Sequence, residues 1–414
     1  MSKNSASTMT STVTAAAPIK KHPELTSLTL WIMTIATGLI VANLYYNQPL
    51  LEDIANTFHI SRAKAGQVSM LTQIGYAVGM FFFVPLADMV KRKQLMLIVF
   101  AFIILSLLLT ATAQNINLLI GASFLLGASS MLPQLLVPMA AHLAKPAERG
   151  KKLGVIMSGL LIGILLSRTF SGFIGQYFGW RAVYYIAAGI MLVTWAIIGV
   201  FLPEVEPDYK GSYKSLMASL IHLIRHEPRL RLAALRGALC FACFSAFWTT
   251  IVFLLKQNFD MGSAVAGEFG LVGAFGAIAA GLMGRLSDKM DAYKLSGFTI
   301  LLIILSFVIF FFSAHSIIGL VVGVIVLDMG VQATHISNQS IIFALKPEAR
   351  NRINTIYMVT YFIGGSLGTL FATLVWKNYQ WNGVCAIGVI ISVLILIIHL
   401  ANHEKMGNKS PESK

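Results

Sequence analysis

Arg168, Arg236, Glu268 and Asp328 stand inside or at the edge of long apolar runs. There an unpaired charge costs about 3 kcal/mol on membrane-insertion scales. Asp328 is a carboxylate near the middle of such a run, roughly 20 Å from its end by helical rise. A carboxylate that meets water or a partner in one state only can load and release a proton. A permanent ion pair with Arg168 or Arg236 is the structural alternative. Arg168 lies about 24 Å along its run counted from Lys152, where its long side chain could also snorkel to an interface.

Other chemistry is thin. His222 and His226 are four apart, as metal ligands can be, but no third ligand stands near them, so no metal is implied. Cys240, Cys243 and Cys385 sit in apolar surroundings and read as small packing residues, with no disulfide and no redox cofactor. No HExxH pattern occurs, and no cofactor is expected.

The composition sets where this chemistry operates. At 57% hydrophobic and 12% charged, with a mean hydropathy of +0.75, the 414 residues cannot coat a soluble globule, and the lipid bilayer is the expected partner. The net charge of +14 comes from short clusters between apolar runs rather than from one face, so nucleic acid is not expected.

The chain repeats itself. Lys145, Pro146, Arg149, Met157, Gly163 and Trp180 recur without a gap as Lys346, Pro347, Arg350, Met358, Gly364 and Trp381. Upstream, Phe58, Ala65, Gly66 and Gly75 match Phe259, Ala266, Gly267 and Gly276 at the same offset. About twelve runs are long enough to span a bilayer. They fall at 28–51, 66–87, 94–113, 117–142, 153–176, 182–202, 232–255, 265–286, 295–313, 317–344, 353–376 and 382–402. Every second loop is basic, which places both termini in the cytoplasm.

The expected architecture is an all-α membrane protein with twelve transmembrane helices in two parallel six-helix repeats. A disordered tail (1–27) precedes the first half (28–202). A cytoplasmic linker (203–230) carries an amphipathic helix with Leu216, Leu220, Leu223 and Ile224 on one stripe. The second half (231–402) and a short tail (403–414) follow.

Val84-Pro-Leu-Ala-Asp88-Met-Val-Lys-Arg92-Lys93 and Gly284-Arg-Leu-Ser-Asp288-Lys289 occupy the same place in each half. They resemble the loop signature of the major facilitator superfamily, departing from it at Val84 and Lys91 and after Lys289. Gly154, Gly163, Ser167, Arg168, Ser171 and Gly172 resemble the spacing of the antiporter motif, with arginine in its proline position. Helix packing is the plainer reading of those small residues. With Asn43-Leu-Tyr-Tyr-Asn-Gln-Pro49, the sequence is similar to drug:proton antiporters and arabinose-efflux-type permeases of twelve spans. The arginine that such families place in span 4 falls at Ser123.

The resemblance implies a secondary active transporter working by alternating access. It would be a monomer in a bacterial-type inner membrane, exporting a small organic molecule against protons. An importer or facilitator of a metabolite is the alternative within the fold, and a non-transporting receptor or sensor lies outside it. Asp88, Arg92 and Lys93 would gate against Arg350 and Arg352 of span 11, and Asp288 and Lys289 against Arg149 of span 5. Substrate contact is expected from polar residues that are costly in lipid. These are Asn43, Tyr46, Asn47 and Gln48 in span 1, Gln134 in span 4 and Trp248 and Thr249 in span 7. Gln332, His335, Asn338 and Gln339 in span 10 and Tyr357 and Tyr361 in span 11 complete the set. Arg168 has three candidate partners: Glu268 on the neighbouring span 8, Asp328, or an anionic group on the substrate.

Overall fold

The computed structural model describes residues 25–145, 148–207, 211–273, 292–346 and 349–402. The first half comprises α1 (Ser27–Ala42), α2 (Asn47–Phe58), α3 (Arg62–Leu86), α4 (Arg92–Ala111), α5 (Ile116–Ser129), α6 (Pro133–Leu143), α7 (Arg149–Phe178) and α8 (Trp180–Phe201). After α9 (Tyr213–His226) come α10 (Pro228–Phe259), the helical stretch 263–273 as α11, α12 (Ala292–Phe312), α13 (Ile317–Phe343) and α14 (Arg350–Ala401).

Among the described residues, ten helical runs are long and apolar enough to cross a membrane. The last of them is two spans, because Gln380 takes φ 49°, ψ −138° inside α14. α11 opens the run expected at 265–286, whose remainder lies outside the described residues, as do Asp288 and Lys289. The fold is that of a twelve-helix membrane protein built from two six-helix halves.

Two spans are broken in the middle. Residues 43–46 turn between α1 and α2, with Pro49 in the first turn of the new helix. Residues 130–132 separate α5 from α6, which begins on Pro133. Proline lacks an N–H and suits a first turn, so each break is written locally. Irregular backbone at membrane depth is tolerated only where protein or a water-filled cavity covers it.

Small residues bring the spans together, and the two copies do the same job. A Cβ on Gly163 of α7 would overlap the backbone of Gly38 in α1, and a Cβ on Gly364 of α14 would overlap Ala238 in α10. Lipid tails offer no hydrophobic drive between helices, so close backbone approach supplies the packing. Gly163 in the antiporter-like spacing is therefore a helix-packing residue, whereas Gly154 in the same spacing faces open space. The linker helix α9 buries Leu216, Leu220 and Leu223, while Ile224 stays exposed.

Candidate functional site

A cavity of about 630 Å³ lies between the halves. It reaches the surface at the end of the bundle bearing the basic loops, where Asp88, Arg92 and the exposed Arg350 and Asn351 line its mouth. Its inner end is walled by Tyr45 from the break in span 1 and by Phe244 of α10. Tyr76, Phe241, Tyr361 and Phe362 form an aromatic band along it, with Tyr361 stacked on Phe241 at 4.1 Å and Tyr76 tilted against Phe362 at 4.4 Å between centroids. Among the residues expected to meet substrate, Gln134, Gln332, His335, Gln339 and Tyr361 line this cavity.

The other expected contacts have internal roles. Asn43 donates to the Met191 sulfur, and Asn47 accepts from Ser69 and lies against Thr72. Tyr46 packs on Phe170, and Thr249 pairs with Thr369 at 3.1 Å inside the second half. Tyr357 meets His335 Nδ1 at 3.0 Å from behind the wall, and Asn338 is buried in α13. Arg236, also buried, donates to Ser296 within the second half.

Behind the inner wall sits Arg168. Its Nε donates to Gln48 Oε1 at 2.7 Å, and one terminal nitrogen reaches the Ile164 carbonyl at 3.4 Å. The other has no hydrogen-bond partner among the described residues. The guanidinium lies 4.1 Å from the Trp248 ring centroid, 4.8 Å from Tyr45 and 5.6 Å from Phe244. A desolvated cation over a ring face gains about 2 kcal/mol, so this aromatic box offsets much of the cost of burying the charge. Trp248 Nε1 in turn donates to Asp328 Oδ1 at 3.4 Å.

One indole from the second half thus stands between an arginine of the first half and a carboxylate of the second. Gly273 of α11 leaves the room for that carboxylate, since a Cβ there would overlap Asp328 Oδ2. Glu268, expected as a structural partner for Arg168, is exposed. Gly267 and Gly270 carry the face of α11 that packs on Arg168, and the helical turn sends Glu268 elsewhere.

At the end opposite the basic loops, the halves touch. Arg62 grips Glu52 with two 2.8 Å hydrogen bonds, extends a third to Gln257 at 3.1 Å, and lies over the rings of Phe253 and Trp376. Gln257 Nε2 continues to Gln380 Oε1 at 2.7 Å, which holds the strained turn in α14. Alongside, Thr169 donates to the Gly267 carbonyl, and the Ala264 N–H donates to Gln176. Lys256 clamps Asp260 at 2.6 Å, and that hydrogen bond and charge hold the Asp260 carboxyl below its ordinary pKa. Loop charge alone gave no sign of this cluster; Glu52 ten residues before Arg62 was the available signal.

At the basic end Asp88 pairs with Arg92 at 3.5 Å within its own half, and Arg350 donates to the Phe343 carbonyl. The Lys93 N–H donates to Glu204, Arg149 is exposed, and Arg352 is half-buried in the first turn of α14.

A bundle of paired six-helix halves, with a central cavity reaching the surface at one end, is the architecture of a membrane transporter. The sequence matches the Major Facilitator Superfamily over residues 30–369 and 278–414, and the chain belongs to that family. It is 40% identical over 380 residues to the uncharacterized transporter YgaY of Escherichia coli O157:H7, covering 92% of this chain and 96% of that protein. Among solved structures, a bacterial homologue of the human lysosomal transporter Spinster, inward-facing and unoccupied, superposes with a TM-score of 0.72 at 16% identity, over 91% of this chain and 95% of the other. The nucleoside transporter NupG superposes with a TM-score of 0.73 at 16% identity, over 90% and 98% of the two chains. These likenesses establish a shared fold. The chain is a transporter and not an enzyme.

Proposed function

We propose that this transporter exports a small organic molecule in exchange for protons, by alternating access between the two halves. The observation that carries the reading is the Arg168–Trp248–Asp328 arrangement, which joins the halves beneath the cavity's inner wall. Residues that flank it, Tyr45 and Phe244, also line the cavity, so occupancy and the buried charges touch the same two rings. A proton on Asp328 removes the negative charge that faces Arg168 across the indole and changes the attraction between the halves. Only a differential of this kind can shift a two-state equilibrium.

The positive-inside bias makes the basic end cytoplasmic, with both termini on that side, so the described state takes substrate from the cytoplasm. A bacterial inner membrane supplies the proton gradient. Asp88 and Arg92 then belong to the inner gate and the Arg62 cluster to the outer one.

The test uses purified protein in proteoliposomes with an imposed pH gradient and an interior pH dye. A ligand found by thermal shift, since binding to the folded state raises apparent stability, should drive proton movement across the wild-type vesicles. Asp328→Asn should bind that ligand and move no protons. Uphill transport by Asp328→Asn with an unaltered pH dependence would overturn the coupling assignment. Ligand flux down its own gradient without proton movement would make the protein a facilitator.

A further inference from the structure

The walls of the cavity are selective in a way its mouth is not. Arg92, Arg350 and Asp88 line the entrance, but deeper in no lysine, arginine or carboxylate reaches the described lining. In the sequence, residues 274–284, which lie outside the described residues, contain no charged residue either. What the wall offers is the aromatic band, the amides of Gln134, Gln332, Gln339 and Asn354, and the imidazole of His335. Asn354 Oδ1 is buried and has no hydrogen-bond partner among the described residues.

The inner end discriminates further. Tyr45 and Phe244 present one side to the cavity while Arg168 lies 4.8 and 5.6 Å from their ring centroids. A ligand cation pressed against those rings would meet a guanidinium already drawn to them, in a medium that screens charge poorly. A ligand anion would leave water for a wall without a cation to receive it, because Arg168 is sealed behind the partition at 1% exposure. An uncharged ring system loses nothing on either count and stacks on the aromatic band. The cavity's 630 Å³ suits a small molecule of a few fused or linked rings.

Resting on the transporter reading above, we infer that the substrate is an uncharged aromatic amphiphile, with a ring body against the aromatic band and a hydrogen-bonding group toward the amides.

The experiment compares three probes of one shape, 1-naphthol, 1-naphthalenesulfonate and trimethyl(1-naphthyl)ammonium, at neutral pH. Binding to the full chain in lipid nanodiscs is measured by equilibrium dialysis, with empty nanodiscs subtracted. Naphthol should bind saturably and roughly tenfold or more tighter than either ion, the scale set by an uncompensated buried charge. Phe241→Ala should weaken naphthol. Met157→Lys, which adds a cation to the wall, should raise sulfonate binding roughly tenfold. Met157 is 41% exposed, so the added charge keeps access to water.

The inference is overturned by equal or tighter binding of either ion to the wild type, by absence of saturable naphthol binding, or by sulfonate binding that ignores Met157→Lys. An ion that binds best and drives proton movement in proteoliposomes would sink the substrate class and leave the proton-exchange reading standing. Naphthol bound as stated, with no proton movement under any gradient, would do the reverse.

Discussion

The two ends of the bundle differ in charge and in closure, and in opposite senses. The basic end carries Lys91, Arg92 and Lys93, Arg149, Lys151 and Lys152, and Arg350 and Arg352, yet there the cavity meets the surface. The other end carries few charges in its loops, and there the halves are joined. Charge that satisfies the positive-inside bias needs only water. Charge that closes an interface needs a partner, and Arg62 has a carboxylate to fix its fork, an amide across the seam and two rings to lie on. Few well-placed groups outweigh many solvated ones, as in exposed ion pairs generally.

The sharpest way to break this comparison is to show that neither end matters as much as the layer between them. Arg168→Ala should lower uphill transport by roughly two orders of magnitude while the protein still folds, because the lost group is an arginine whose neighbours are an amide and rings rather than a carboxylate within ion-pair distance. Arg168→Lys should recover part of the activity, since it keeps the charge without the planar fork. Flux and thermal melting of the same samples check both points, and normal transport by folded Arg168→Ala would reduce the residue to a structural role.

Next in size is Arg62→Ala. It removes one charged hydrogen bond and two cation–π contacts across the seam, together about 2 kcal/mol, or roughly a thirtyfold shift between access states. Cysteine labelling at Ser263, buried where α11 meets α7, should rise accordingly from the outer side. An unchanged labelling rate would mean that the small-residue contacts between α7 and α11 hold that end shut by themselves.

Asp88→Asn should act more weakly and at the opposite end. A carboxylate facing a helix N-terminus contributes about 0.3 to 1 kcal/mol, so the cytoplasm-open population should grow two- to fivefold and turnover should slow. Labelling at Met157 inside the cavity reads the population. An effect as large as that of Arg62→Ala would cancel the asymmetry between the ends. Smallest of all is Glu268→Ala. The side chain is exposed, so stability should change by no more than about 0.5 kcal/mol, and the double change with Arg168→Ala should be additive. A recovery in that double variant would restore Glu268 as the partner.

Much of the architecture was legible in the residues, because a bilayer permits few solutions. Long apolar runs must become helices whose backbone groups are satisfied internally, and a repeat at constant offset must give two like halves. The repeated Gly163 and Gly364 announced close helix contacts for the same reason. The buried charges of Arg168 and Asp328 were legible too, since charge in an apolar run is rare enough to stand out.

What only the tertiary structure decided is the direction each side chain faces. In spans that are apolar all round, helical period fixes which residues share a face but not whether that face meets lipid, a neighbour or the cavity. Polarity therefore pointed to Asn43, Asn47 and Thr249, which are spent on packing inside the halves, as readily as to Gln134 and Gln339, which line the cavity. It passed over Tyr45, Tyr76, Phe241, Phe244 and Phe362, because an aromatic ring is equally at home in lipid and against a ligand. The aromatic box of Arg168 joins α1–α2, α7 and α10, and the seam at Arg62 joins α2, α3, α10 and α14. Contacts between segments so far apart in the chain exist only once the two halves have come together.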